Sequence, residues 1–438
     1  MSESPQAVPD LAEAPRRSRG AAKGDSHDPL PRMVALDGVR GLAVLLVMLH
    51  HFMFLPKDTL IHTGVYAVRK LGWTGVELFF VLSGYLITSI LIEYRGDGRY
   101  FSAFYARRAL RILPLYYVVV AASFFLLPAF INLGELKGSP GWYWFQASNW
   151  HMAFNGFSHK TLCVCWSLAI EEQFYLIWPL VVGLTPPRLL GRVALGVFIG
   201  SSLLSIGMSA AGAPWVMTYT LTPCRLGGLA LGGFLATVPQ EKLRASSKAA
   251  LRVGGLAAAV SAAVLLITRS THMEGRGWTG IGFTALSVLW ASVITLALSA
   301  PVVTRVFSSR PLTFLGKYSY GLYLWHMPVA IFVRDSVFGP KVWPRVFGTL
   351  LVGQLVYDVL AMAVSIAVAW VSWRALEEPI LRLKKHFHYA RMGRAEKGAA
   401  GRAEQGDGRV AQAAGRGYLQ LPVGSQVCPG SQPKTGRS

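Results

Sequence analysis

The chain has 438 residues, of which 15% are charged and 53% are hydrophobic, and its 43 Lys and Arg against 22 Asp and Glu give a formal net charge of +21. Soluble globular domains carry about 25% charged residues, so this composition argues against a soluble enzyme. The 13 Trp, 16 Tyr and 22 Phe suit the interface of a bilayer. The basic excess is therefore expected to face a lipid bilayer rather than a nucleic acid.

The two ends of the chain differ in composition from its middle. Residues 1–32 mix acidic and basic side chains without an apolar run, and residues 386–438 are basic and rich in glycine. Such segments bury too little apolar surface to fold, so we expect two disordered cytosolic tails. One transmembrane domain is expected over residues 33–385. The four cysteines fit neither a disulfide pattern nor a metal site, so no metal is expected.

Between these ends, apolar stretches of about 20 residues recur, which is the helix length that crosses about 30 Å of hydrocarbon. The sequence therefore predicts an all-α, polytopic membrane protein with about ten transmembrane helices. The predicted spans are residues 33–55, 72–93, 109–131, 166–185, 189–210, 220–238, 250–268, 279–300, 313–334 and 346–374. The aromatic but polar segment 141–154 is predicted to lie at the interface or to re-enter the bilayer.

The short loops predict the orientation. Lys and Arg concentrate after the second, fourth, sixth and eighth spans, and the alternate loops carry few charges. Because cytoplasmic loops carry the excess of Lys and Arg, we expect these loops and both termini in the cytosol. The expected location is a bacterial inner membrane.

Ionisable side chains within the first span indicate function, because each costs about 2.5–3.5 kcal/mol to insert. Arg40 and His51 are eleven residues apart, so they share a helical face about 16 Å apart, whereas His50 points about 100° away. Asp37 lies one turn before Arg40 and can pair with it. This spacing suits a long substrate lying along the helix. The alternative is a snorkelling arginine with packing histidines.

The fourth span carries a pair of carboxylates. Glu171 and Glu172 follow Trp166, which is expected at the outer interface, so both are predicted at about the depth of His51. Imidazole suits proton abstraction from a hydroxyl near neutral pH, and a carboxylate commonly holds the ring. Alternatively, one of the two glutamates pairs with Arg225 of the sixth span.

Further polar residues in the spans are also candidates. Glu77 lies in the outer half of the second span, and Ser83 and Gly84 lie near its centre, where the glycine permits close helix contact. His326 lies in the ninth span, either as a functional residue or as a hydrogen-bonded core residue. Glu378 lies at the cytosolic exit of the tenth span.

Three arginines lie where the third span begins, on its cytosolic side. Arg107 and Arg111 share a helical face, where like charges would repel unless an anion lay between them. Phosphate is the natural candidate, because guanidinium offers it forked donors, and Arg108 lies beside them. The orientation rule alone would also explain these arginines.

Together these segments resemble the acyltransferase 3 family of integral membrane O-acyltransferases, from about Leu36 to Lys385. The Arg-x10-His signature of that family fits Arg40 and His51. The other similar blocks are VELFFVLSGYLIT, FYARRALRILPLYY, WSLAIEEQFYLIWP, LGKYSYGLYLWHMP and EEP, in the family's order. Glu77 stands where family members often have Asp, which is a conservative departure.

The resemblance implies transfer of an acyl group, commonly acetyl, from cytosolic acyl-CoA to a hydroxyl of an envelope carbohydrate or a glycosylated natural product such as a macrolide. Some family members carry an extra soluble domain, and a standalone enzyme without one is expected here. His51 would deprotonate the acceptor, Arg40 would steady the donor, and Glu171 or Glu172 would orient the imidazole. Acyl-CoA would be a co-substrate, held through its phosphates by Arg107, Arg108 and Arg111, and no bound cofactor is implied. Direct transfer and an acyl-histidine intermediate both remain open. A proton-coupled transporter that uses the same residues as a relay is the rival interpretation.

Overall fold

The computed structural model describes residues 34–53, 59–131, 139–157, 159–268, 275, 277–339, 345–347 and 349–389. This part of the chain is helical and has no strand, only an isolated bridge between Val346 and Thr349, so the predicted all-α class is confirmed. The α-helices are α1 (Val34–His51), α2 (Leu60–Lys70), α3 (Thr74–Glu93), α4 (Tyr100–Ala121), α5 (Gly141–Trp144), α6 (Ser148–Asn155), α7 (Cys165–Leu184), α8 (Pro187–Ala210), α9 (Trp215–Thr220), α10 (Thr222–Thr237), α11 (Gln240–Ala245), α12 (Ser247–Thr268), α13 (Phe283–Ser299), α14 (Pro301–Phe307), α15 (Arg310–Val333), α16 (Leu350–Ser372) and α17 (Glu378–Leu381).

Within the described ranges, eight helical segments are long and apolar enough to cross a membrane. They are Val34–His51, Ile61–Glu93, Tyr100–Ala129, Cys165–Leu184, Pro187–Ala210, Ser247–Thr268, Trp278–Ser299 and Leu350–His386. These segments overlap eight of the predicted spans. The other two predicted spans are helical as well, but α10 has only 16 residues and α15 contains Arg310, Lys317 and His326. The protein is an integral, polytopic membrane protein.

Helices α1 and α15 cross at a glycine on each partner. A Cβ atom added at Gly41 would lie 1.9 Å from the carbonyl oxygen of Leu312, and one added at Gly316 would lie 1.8 Å from the carbonyl oxygen of Asp37. Any side chain at either position would push the two backbones apart. Small residues that allow such close approach are the usual packing device of helices in membranes. The crossing brings the later turns of both helices together.

Helices α3 and α10 use the same device. A Cβ atom at Gly84 would lie 1.8 Å from the carbonyl oxygen of Leu229, and one at Gly232 would lie 1.9 Å from the carbonyl oxygen of Val81. The role in close helix contact that the sequence suggests for Gly84 is therefore the one that the structure has.

The structure also contains helices outside the predicted spans. Helix α2 precedes α3, and its Arg69 donates to both carboxylate oxygens of Asp358 on α16, at 2.6 and 2.9 Å, and to the carbonyl of Leu49. Arg69 thereby ties the end of α1 to α16. The segment 141–154, predicted at the interface or re-entrant, forms the short helices α5 and α6.

The packed part of the chain continues past residue 385, the predicted end of the domain. Tyr389 is 2% exposed and stacks on Tyr94 with 3.7 Å between the ring centres. The boundary at residue 385 is therefore four residues short, because this aromatic pair holds the C-terminal end of the described chain against the bundle. The predicted tail over residues 1–32, and residues 390–438 of the other tail, lie outside the described residues.

Candidate functional site

The end of α1 meets α15 through two histidines. The Nδ1 atom of His51 lies 3.1 Å from the Nε2 atom of His326, and the ring centres are 5.0 Å apart. His326 is fully buried, whereas His51 is half-buried. His50 faces another direction, because its Nδ1 atom lies 3.0 Å from the carbonyl oxygen of Lys70. The structure thus brings together two predicted candidates that lie 275 residues apart.

Glu171 lies among hydroxyl groups on the inner face of α7. Ser83 donates a 2.8 Å hydrogen bond to one of its carboxylate oxygens, and the hydroxyl of Tyr175 donates a 3.2 Å hydrogen bond to the other. The cations whose charges act on this carboxylate are Arg40 and Arg108. Glu171 therefore belongs to the region of Arg40, not to that of the histidine pair.

The predicted contact of Glu171 or Glu172 with His51 is not present. Glu171 instead contacts Ser83 and Tyr175 and lies in the field of Arg40, which stands eleven residues before His51 on α1. The side chain that contacts the imidazole of His51 is instead a histidine of α15.

Arg40, Arg108 and Arg111 form a group that we call the arginine cluster. Arg40 donates one hydrogen bond, 3.3 Å long, to Asp37, and the charges of the other two arginines act on it. Across the described ranges, Arg111 makes no direct hydrogen bond or ion pair. Since a guanidinium carries five N–H donors, the cluster has donors available for an anionic ligand.

Arg107 is not among the charges that act most strongly on Arg40, which are those of Arg111, Asp37 and Arg108. Arg107 acts on Tyr94 and, together with Arg108, on Tyr389, the stacked pair at the C-terminal end of the described chain. Arg108 thus acts on both the arginine cluster and the aromatic pair. An anion between Arg107 and Arg111 stays a prediction.

The two glutamates that follow α16 have different surroundings. Glu378, the predicted candidate, is on the surface and pairs with Arg374 at 3.6 Å and with Arg382 at 3.5 Å. Glu377 is 7% exposed and lies at the end of a π-helical turn, Trp373–Glu377, within the field of the arginine cluster. The buried carboxylate at this exit is therefore Glu377, whereas Glu378 is partly exposed and paired.

Glu77 and Arg225 form a buried ion pair where α3 meets α10. Their closest nitrogen and oxygen atoms are 2.5 Å apart, and Ser287 of α13 donates to the other carboxylate oxygen. The Arg225 guanidinium lies 3.9 Å from the ring centre of Phe283. The alternative pairing of Arg225 with a glutamate of α7 is thus not the one that forms.

A comparison with known protein families matches residues 33–374 to the family described as an acyltransferase domain. The chain belongs to this acyltransferase family. The resemblance inferred from the six sequence blocks is therefore confirmed.

Relatives in this acyltransferase family have been named for their activity. The chain is 31% identical to the peptidoglycan O-acetyltransferase OatA of Listeria monocytogenes over 372 residues, which cover 79% of this chain and 55% of that protein. It is 30% identical to the O-acetyltransferase OatA of Staphylococcus aureus over 367 residues, which cover 79% of this chain and 56% of that protein. The chain thus spans about half the length of these relatives. No solved structure matches it.

Sequence reasoning did not select three side chains that the structure places near the candidate residues. Tyr175 stands four residues after Glu171, and this spacing was a usable signal because such residues share a helical face. Glu377 belongs to the EEP block, but the π-helical turn changes the phase of the helix before it, so the helical period did not show which of the two glutamates is buried. No local sequence signal pointed to Ser287, since its partner Glu77 lies 210 residues away in the chain.

Proposed function

We propose that this protein is a membrane O-acyltransferase that moves an acyl group, most simply acetyl, from acyl-CoA to a hydroxyl group of an envelope carbohydrate. The observation that carries the proposal is the composition of one helix. Helix α1 bears Arg40 in the arginine cluster and His51 in the histidine pair, eleven residues or about 16 Å further along. Helix α1 thus holds a group that can bind an anion, Arg40, at a fixed distance from a group that can act as a base, His51.

The arginine cluster suits the phosphate groups of the donor. Arginine binds phosphate through parallel N–H donors, and such charge-assisted bonds are about twice as strong as neutral ones. Arg40 has most of its donors available and Arg111 has all of them. The pantetheine arm of the donor would then extend along α1 toward the histidines. In this proposal the carboxylate of Glu171, held by Ser83 and Tyr175, helps to orient the guanidinium groups.

His51 is the group suited to activate the acceptor. Its imidazole would take the proton of the acceptor hydroxyl while the hydroxyl oxygen forms a bond to the acyl carbon. The carbon–sulfur bond of the thioester then breaks, and the thiolate takes the proton from the imidazolium to leave as CoA. The acceptor gains an ester, and His51 returns to its neutral form.

The basic loops favour a cytosolic position for the arginine cluster and an outer position for His51. The donor would then be drawn from the cytosol, and the acceptor would be reached from the outer side. The names of the two relatives favour peptidoglycan or a similar glycan as the acceptor class.

The test is acyl transfer by purified protein in lipid nanodiscs, with radiolabelled acetyl-CoA and soluble peptidoglycan fragments. We expect a base-labile label on the glycan with wild type and with His50→Gln, the matched neighbouring histidine. His51→Ala should lose about 10²–10⁴-fold in rate, the usual contribution of a general base.

Two results would contradict the proposal. Transfer by His51→Ala at the wild-type rate would remove His51 from the chemistry. Failure of wild type with acetyl-CoA and with longer acyl-CoAs would reject acyl-CoA as the donor, and proton-coupled uptake into liposomes would then be measured.

A further inference from the structure

We propose that His326 is a positioning residue that fixes the tautomer of His51, so that the ring proton stays on Nδ1 and Nε2 faces the acceptor hydroxyl. Its catalytic consequence rests on the proposed function, but the tautomer itself does not. The inference follows from which atoms of the two rings meet acceptors.

The protonation of His326 is set by its own helix. Its Nδ1 atom lies 2.6 Å from the carbonyl oxygen of Tyr323 and 3.2 Å from that of Leu322. Carbonyl oxygens only accept, so Nδ1 of His326 must carry the hydrogen. In a neutral imidazole the other nitrogen is then an acceptor. The Nε2 atom of His326 therefore presents a lone pair to α1.

The lone pair of His326 determines the state of His51. The Nδ1 atom of His51 lies 3.1 Å from it, and this contact is a hydrogen bond only if His51 donates. This contact therefore places the proton of a neutral His51 on Nδ1. The Nε2 atom of His51 is left with its lone pair and has no hydrogen-bond partner in the described part of the chain.

A histidine in this role suits the membrane interior better than the expected carboxylate. A buried carboxylate carries a charge whose removal from water is costly, whereas imidazole is neutral. When His51 accepts a proton at Nε2, its Nδ1–H still donates to His326, which helps to stabilise the imidazolium. The ring of His326 is held in place by neighbouring rings, with centre distances of 5.7 Å to Tyr323 and 6.4 Å to Phe52.

Two substitutions separate this role from packing. His326→Gln keeps an acceptor for His51 and an amide N–H for the carbonyl groups, whereas His326→Leu fills the space with neither. Tyr357→Phe is the matched control, because it removes a buried 3.0 Å hydrogen bond to the carbonyl of Ala330 on the same helix without touching His51. Each variant is assayed for kcat and KM, and the tautomer of His51 is determined by nitrogen NMR of histidine-labelled protein in nanodiscs.

We expect His326→Leu to lower kcat roughly 100-fold or more with KM values nearly unchanged, as removal of a ring-orienting partner does elsewhere. His326→Gln should recover much of that loss, and Tyr357→Phe should stay close to wild type. In wild type the His51 proton should be on Nδ1, and in His326→Leu it should move to Nε2. Full activity of His326→Leu, or a wild-type His51 protonated on Nε2, would overturn the inference. If no donor supports transfer at all, the proposed function fails, and the NMR measurement still decides the tautomer.

Discussion

Two helix crossings in this protein use the same packing and hold different chemistry. The α3–α10 and α1–α15 crossings each place a glycine against the backbone of the partner helix. The first joins Glu77 to Arg225, and the second joins His51 to His326. The glycines therefore do not distinguish a structural crossing from a functional one. The chemistry of the side chains that meet at each crossing does.

The α3–α10 crossing holds a buried pair of opposite charges. The Glu77 carboxylate receives hydrogen bonds from Arg225 and Ser287, and the Arg225 guanidinium lies against an aromatic ring, although its Nε atom is buried without a hydrogen-bond partner among the described residues. At the α1–α15 crossing, a ring nitrogen of His51 and most donors of Arg40 have no partner among the described residues. Unused donors are thus present at both crossings, and what distinguishes them is that opposite charges meet at the first and two imidazole rings meet at the second.

The largest expected effect is on stability, at the α3–α10 crossing. Arg225→Met or Glu77→Leu should each lower the free energy of unfolding by about 3–5 kcal/mol, because each leaves a buried charge without its partner. The measurement is unfolding in detergent micelles. The double variant should recover most of the loss, since it leaves no charge. Single variants within about 1 kcal/mol of wild type would mean that this pair is solvated.

The next effect concerns ligand binding by the arginine cluster. Arg111→Gln should weaken acetyl-CoA binding about 10–100-fold, because hydrogen bonds to charged groups contribute about 1.5–3 kcal/mol. Its stability should change little, since it makes no direct ion pair. The measurement is equilibrium binding at two salt concentrations, with Arg107→Gln as the matched control on the same helix. Equal losses in the two variants would show that general surface charge, not the cluster, attracts the donor.

The smallest effect is expected at the surface pair of Glu378 with Arg374 and Arg382. Glu378→Gln should change the free energy of unfolding by no more than about 1 kcal/mol, because exposed ion pairs are screened by water. Transfer activity should be unchanged. Unfolding in detergent micelles measures the stability, and the acyl-transfer assay in nanodiscs measures the activity. A large loss of activity would return Glu378 to the functional site and contradict the distinction drawn from Glu377.

Local sequence features were sufficient for much of the helical organisation. Apolar stretches of membrane length identified the long helices, and the helical period placed Arg40 and His51 on one face of α1. The residues that these side chains contact on other helices could not be predicted in the same way. Glu171 contacts Ser83 and Tyr175 rather than His51, because the sequence of α7 does not say which residues of other helices lie opposite each turn.

The sequence by itself determined an all-helical membrane protein of the acyltransferase family, because hydrophobic length, charge distribution and short motifs are properties of neighbouring residues. Only the tertiary structure decided that His326 contacts His51, that Arg225 pairs with Glu77, and that Glu377 rather than Glu378 is buried. Those contacts depend on how helices far apart in the chain cross. Glycines allow these helices to cross closely. The sequence around a glycine does not show which other helix it will contact.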